Sequence, residues 1–188
     1  MSKKIFKNGA IYCPVPVGMI TCGEYDKGEK NITTVSWLGI INTEPFMAYI
    51  SVRPSRHSYD IIKRTGEFVI NVPTKDLAFA TDCCGLKSGK NTDKFKEMNI
   101  TPEKASSINC SIIKESPINM ECKVKDIIEL GTHHMFISDV VATTVDEKYL
   151  DENGKMNFDK SEPICYFQRE YFTLGEYIGK IGYSAKKH

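Results

Sequence analysis

Two short segments concentrate groups suited to holding an anion, in a chain whose formal charge nearly cancels at +1. Residues 53–64 carry Arg53, Arg56, Lys63 and Arg64 against Asp60, and residues 83–96 carry Lys87, Lys90, Lys94 and Lys96 against Asp93. The first opens as Ser51-Val52-Arg53-Pro54-Ser55-Arg56-His57-Ser58, where a strand gives way to a helix. A helix N-terminus presents unpaired N–H groups and the positive end of the helix dipole, both suited to a phosphate. Arg53 and Arg56 add bidentate contacts, and Ser55 and Ser58 add hydroxyl donors. Taken alone, the stretch reads better as a Ser-capped helix with solvated arginines. The second basic segment is what suggests one shared anion site. Just upstream, residues 31–39 contain the only tryptophan, Trp37. On a continuous strand, alternation places Thr34, Ser36 and Leu38 on one face and Val35, Trp37 and Gly39 on the other. Hydroxyls and exposed backbone of that kind suit the polar edge of a flat heterocycle, although Trp37 alone reads as a core residue.

Other chemistries find no support in the pattern. Gly85 to Asn91 resembles a phosphate-binding P-loop only superficially, since Asn91 stands where a magnesium-binding Ser or Thr belongs. No GxGxxG follows a strand, and Gly154 falls two positions too early for a calcium loop. His133 and His134 are neighbours on an expected strand, so they point to opposite faces and cannot chelate one ion together. No metal site is expected. The seven cysteines form no CxxC pair, and Cys83-Cys84 reads as two packed small residues, because a disulfide between neighbours is strained. Unpaired thiols at this density fit a reducing, cytoplasmic setting. The near-zero charge argues against a nucleic-acid partner, and the stretch from Asn8 to Gly23 is too broken by Gly9, Pro14, Pro16 and Gly18 to cross a membrane.

The elements that must position these groups are mostly strands. Strands are expected over residues 17–25, 31–41, 46–52, 67–72, 119–130, 133–144 and 164–168. Short helices are expected from Pro54-Ser55 to about Thr65, stopped by Gly66, then over residues 75–84 and 93–98. Asn42 to Pro45 and Asn153-Gly154 read as turns. With 188 residues, no internal repeat and no long linker, the chain is expected to form one domain, 1–188. Many short strands with few helices point to a mainly β fold, a β-barrel with short helices. Charge along the chain is uneven, with seven acids against three lysines over residues 139–162.

In combination, segments 16–22, 31–39, 51–59 and 66–73 resemble the flavin reductase-like family, the FMN-binding split barrel of Greek-key type, with flavoredoxin-type proteins nearest in likeness. Asp93-Lys94-Phe95, residues 131–140, Tyr166 and residues 169–172 extend the resemblance over about residues 10–178. Thr132 departs from it, standing where many relatives carry an acidic residue. The resemblance implies a homodimer with FMN near the interface. It implies Thr34, Ser36, Trp37 and Leu38 along the isoalloxazine ring, and Ser51, Val52 and Arg53 at the ring edge and ribityl chain. It implies Arg56, His57 and Ser58 at the phosphate, aided by Ser88, Gly89 and Lys90. His134 and Tyr171 are the candidates near the open ring face. The implied activity is an NAD(P)H-dependent FMN reductase, with NADH or NADPH as a transient hydride donor to flavin N5. The alternative is a carrier with tightly bound FMN that exchanges electrons with a partner protein.

Overall fold

The structure is a computed structural model that describes residues 1–7 and 12–185. Residues 10 and 11, at the expected start of the domain core, lie outside the described residues. Twelve strands and three α-helices are seen among the described residues. In chain order they are β1 (Val15–Pro16), β2 (Gly18–Cys22), β3 (Asn31–Val35), β4 (Leu38–Thr43), β5 (Phe46–Val52), α1 (His57–Thr65) and β6 (Glu67–Asn71). There follow α2 (Ala78–Leu86), α3 (Lys94–Glu97), β7 (Pro102–Lys104), β8 (Ser111–Ile113), β9 (Ile118–Leu130), β10 (His133–Val145), β11 (Ile164–Phe167) and β12 (Glu170–Thr173).

Seven strands form one antiparallel sheet in the order β3-β2-β6-β9-β10-β5-β4. Its two edge strands are consecutive in sequence, joined only by Ser36 and Trp37. Two residues cannot span a flat seven-stranded sheet, with strands about 4.8 Å apart, so the sheet must roll until its edges meet. Ser51 N donates to Trp37 O at 2.8 Å and pins that corner to β5. The chain is therefore mainly β, a barrel whose seam opens at residues 36–37. The single strand expected over residues 31–41 is two strands, and the alternation drawn through Ser36 and Trp37 stops at the corner. β1, β11 and β12 form a separate three-stranded sheet beside it, and β7 pairs with β8.

The barrel interior holds Ile20, Ile50, Phe68, Ile70, Cys122 and Phe136, and α1 closes it with Tyr59, Ile61 and Ile62. On the other side of β2 and β3, Met19 and Ile32 pack against Leu77, Ala80 and Cys84 of the α2 region and against Phe95 of α3. α1 begins at His57, later than expected. Its N-cap is Arg56, in extended backbone with no side-chain cap, so Pro54 and Ser55 form the approach and no serine caps the helix. Gly66 ends α1 at φ 70°, a left-handed conformation that glycine adopts without a Cβ penalty. Between β11 and β12 the two-residue turn at Gln168 and Arg169 has φ 47° and 75°, the paired positive values of a tight hairpin turn.

Candidate functional site

The seam is where the barrel opens to solvent, and a cleft of about 310 Å³ lies there. Its walls are the end of β3 and the corner (Thr33, Thr34, Val35, Ser36, Trp37), the end of β5 (Ser51, Val52), and Arg53, Arg56, His133 and Tyr166. A smaller cavity of about 90 Å³ shares Arg56 as its wall. It is lined by Asn31, Thr33, Ser55, His57 and Ser58 on one side and by Leu86, Lys87, Ser88, Gly89 and Lys94 on the other. Neither lining includes an aspartate or glutamate, and no carboxylate pairs with Arg53, Arg56 or Lys94 among the described residues. The two basic segments of the sequence thus meet in one cavity, where Lys87 is paired with Glu97 while Arg56 and Lys94 have no carboxylate partner among the described residues.

Packing fixes these groups. Thr34 Oγ1 donates to Thr81 O at 2.5 Å, and Arg56 donates to Gly85 O at 2.9 Å, so α2 is tied both to β3 and to the approach to α1. Asn31 Nδ2 donates to Ser58 Oγ at 2.7 Å in a buried bond that holds the first turn of α1. Lys94 is only 5% exposed. Its ammonium donates to Ile32 O at 2.7 Å and to Cys84 O at 2.8 Å, leaving one of its three protons uncommitted. Burial pushes its pKa below the usual lysine value. An ammonium buried without a carboxylate is costly, and an anion in the cavity it lines would relieve that cost.

Gly89 runs so close to β3 that a Cβ there would collide with Asn31 Oδ1. Gly89→Ala should therefore displace the 87–92 loop or the Asn31–Ser58 bond. We expect a thermal midpoint lowered by a few degrees and weaker binding of phosphate-bearing ligands, measured by calorimetry and ligand titration. An unchanged midpoint and affinity would contradict the close approach.

Most of the expected residues come together here. Thr34, Ser36, Trp37, Ser51, Val52 and Arg53 line the larger cleft, His57, Ser58, Ser88 and Gly89 the smaller cavity, and Arg56 both. Leu38 does not line either cavity: past the corner its side chain joins the barrel core. Lys90 is exposed on the loop and lines neither cavity. His134 turns from the cleft, and its Nδ1 lies 2.8 Å from the Tyr59 hydroxyl. Its neighbour His133 lines the cleft instead. Burial, then the nearby Arg53 charge, holds the His133 pKa below the usual imidazole value. Tyr171 donates to Asp82 Oδ1 at 3.3 Å, and the cleft is lined by its cross-strand partner Tyr166.

Thr33, Val35, His133, Tyr166, Asn31 and Lys94 line these cavities but are not among the expected site residues, Lys94 standing out in the sequence as one charge of the second basic segment. A signal existed for His133, since neighbours on a strand face opposite ways, but only the pairing of His134 with Val52 decides which one faces in. Burial pushes the thiols of Cys22 and Cys84 up to about 12 and about 11, so they stay protonated as packing groups. All seven cysteines are free. Among the described residues no group of three or more His, Cys, Asp or Glu is placed to hold a metal ion, and no helix is long and apolar enough to cross a membrane.

A split barrel with an open cleft and an adjoining cationic cavity at its seam defines a class of small-molecule-binding domain. The chain belongs to the flavin reductase like domain family, whose match covers residues 11–175. Among solved structures it is similar to the flavoredoxin of Desulfovibrio vulgaris (Miyazaki F), with 28% identity, a TM-score of 0.89, and coverage of 99% of this chain and 100% of that one. A split-barrel protein of Shewanella frigidimarina is 20% identical with a TM-score of 0.78, covers 88% of this chain and 84% of its own, and shows the fold alone. An uncharacterized protein of Pyrococcus abyssi is 32% identical over 144 residues, 77% of this chain and 81% of its own.

Proposed function

We propose that the chain is an FMN-binding oxidoreductase, with the phosphate in the smaller cavity and the isoalloxazine ring in the larger cleft. The observation that carries this reading is the pair of adjoining cavities sharing Thr33 and Arg56, one lined by hydroxyls and cations without a carboxylate, the other open and partly aromatic. The residues present fit the cofactor. Arg56, Ser58, Ser88 and the spare proton of Lys94 would hold a dianionic phosphate by charge-assisted bonds. Thr34, Ser36 and Ser51 would meet the polar edge of the ring. Bound there, the flavin would supply hydride and electron chemistry, and the protein would supply position and electrostatics. Arg53 and His133 give the cleft positive or polar groups that favour negative charge on a reduced ring.

NADH or NADPH is the donor on this reading. The carrier reading, in which tightly bound FMN exchanges electrons with a partner protein, is favoured by the likeness to a flavoredoxin. Visible spectra of the FMN-loaded protein before and after anaerobic NADH or NADPH decide between them. Bleaching by a nicotinamide supports the reductase, and bleaching only by a reduced partner protein supports the carrier. A protein that binds no FMN overturns both. The family likeness further suggests a homodimer, and the seven free thiols suggest a reducing, cytoplasmic setting. Ile40 and Ile41, exposed on edge strand β4 beside Trp37, are apolar surface that a second copy would cover, and light scattering tests the mass.

A further inference from the structure

Tyr166 lines the larger cleft, yet it belongs to neither the barrel nor the helices. It sits on β11, in the small sheet beside the barrel, directly opposite Tyr171 on β12. The two rings pack edge to face, with centroids 5.6 Å apart. At the base of this hairpin Ile164 N donates to Pro73 O at 3.2 Å. Nearer the tip, the side-chain tie to α2 among the described residues is the bond from the Tyr171 hydroxyl to Asp82. α2 is itself fixed to the cleft floor through Thr81 and Gly85. The chain of contact therefore runs from the floor through Asp82 and Tyr171 to Tyr166. β12 is largely exposed on its outer side, while the β11 backbone is held by pairing of Val15 with Tyr166 and of Pro16 with Cys165 on β1. The Tyr171–Asp82 bond therefore sets the packing of the Tyr166 ring and not its backbone.

The geometry points to Tyr166 as the residue that decides how bulky a redox partner reaches the ring cleft, with Tyr171 and Asp82 as the residues that position it. This rests on the flavin reading. Burial and the Asp82 carboxylate push the Tyr171 phenol up to about 12, so it remains a donor across the neutral range. Tyr171, expected near the open ring face, is not in the cleft lining, and its cross-strand partner Tyr166 is. A fixed wall of this kind discriminates by size, because a small reagent passes a tyrosine edge that a protein surface or a dinucleotide must push aside.

The test uses the full chain loaded with FMN and reduced by dithionite. Its oxidation by ferricyanide, a small reagent, is compared with its oxidation by cytochrome c, a bulky one, in stopped flow. Tyr171→Phe keeps the ring packing and loses only the hydrogen bond, while Tyr166→Ala removes the wall. Neither changes the charge. Tyr171→Phe should raise the ratio of cytochrome c rate to ferricyanide rate by about fivefold, the scale of one exposed hydrogen bond lost, and Tyr166→Ala by more, since it removes the wall itself. Asp82→Ala and Asp82→Asn remove the same charge, so they are compared with each other, and Asp82→Ala, which loses the acceptor oxygen, should show the higher ratio by about fivefold. FMN affinity, titrated first, should stay near wild type in the Tyr171 and Asp82 variants, which lie outside the cleft lining, and Tyr166→Ala is assayed at saturating FMN. Normal FMN binding with an unchanged ratio in Tyr166→Ala and Tyr171→Phe overturns this inference alone. Failure of the wild-type chain to bind FMN overturns the flavin reading and this inference with it.

Discussion

The Arg56→Ala, Lys94→Met double variant is expected to bind FMN about a thousandfold more weakly than the wild type, while its affinity for riboflavin falls less than about tenfold. Riboflavin has the same ring and ribityl chain but no phosphate, so the difference isolates the smaller cavity. Each charge-assisted bond lost should cost about 1.5–3 kcal/mol, and two of them span the expected loss. The groups share one cavity, so their effects need not add, and both single variants belong in the titration. Lys94→Met also strips the donor from Ile32 O and Cys84 O. Unpaired buried carbonyls cost about 1–3 kcal/mol each, partly offset because a desolvated charge is removed with them. Should that variant fail to fold, Arg56→Ala alone still decides, because Arg56 is exposed and its own tie is to Gly85 O. Equal losses for FMN and riboflavin would show that these side chains do not meet the phosphate.

Phe136→Ala is expected to lower the unfolding free energy by about 3–5 kcal/mol, read from the urea midpoint at unchanged slope. Phe136 is fully buried on β10 at the centre of the barrel core. Its ring packs edge to face on Tyr59, with centroids 5.4 Å apart, and Tyr59 closes the barrel from α1. Truncation leaves a cavity ringed by β-strands whose ladders limit how far they can collapse, which places the cost toward the upper part of that range. The same contact seats α1, whose first turn carries His57 and Ser58 of the phosphate cavity. A loss of FMN affinity should therefore accompany the loss of stability in protein that remains folded. A destabilisation below about 1 kcal/mol would mean that the barrel relaxes around the missing ring and that α1 is seated some other way.

Local features of the chain were legible where local chemistry decides them. The alternation and β-branched content of β5, β9 and β10 place those strands within a residue or two of their expected ends. Gly66 ends α1 as expected because a left-handed residue is needed there. The two basic segments were visible as an uneven charge pattern, and their union in one cavity agrees with that pattern. The β7–β8 hairpin and β12 were missed because three or four residues carry too little periodicity to register.

The site is a different matter, because its membership is set by contacts between distant parts of the chain. Local composition cannot reveal that β3 and β4 lie on opposite edges of one sheet, and so it cannot reveal the corner at Ser36 and Trp37 that closes the barrel. That corner sends Leu38 into the core. Register between β10 and β5 points His133 rather than His134 into the cleft, and a one-residue slip would exchange them. Lys90 and Lys94 look alike in sequence, but α3 packs Lys94 beneath β3 and leaves Lys90 in solvent. By itself the sequence determined a mainly β chain with two anion-seeking segments and a flavin reductase-like pattern. The tertiary structure decided which of those groups face one another, because strand register, barrel closure and burial are fixed by pairings far apart in the chain.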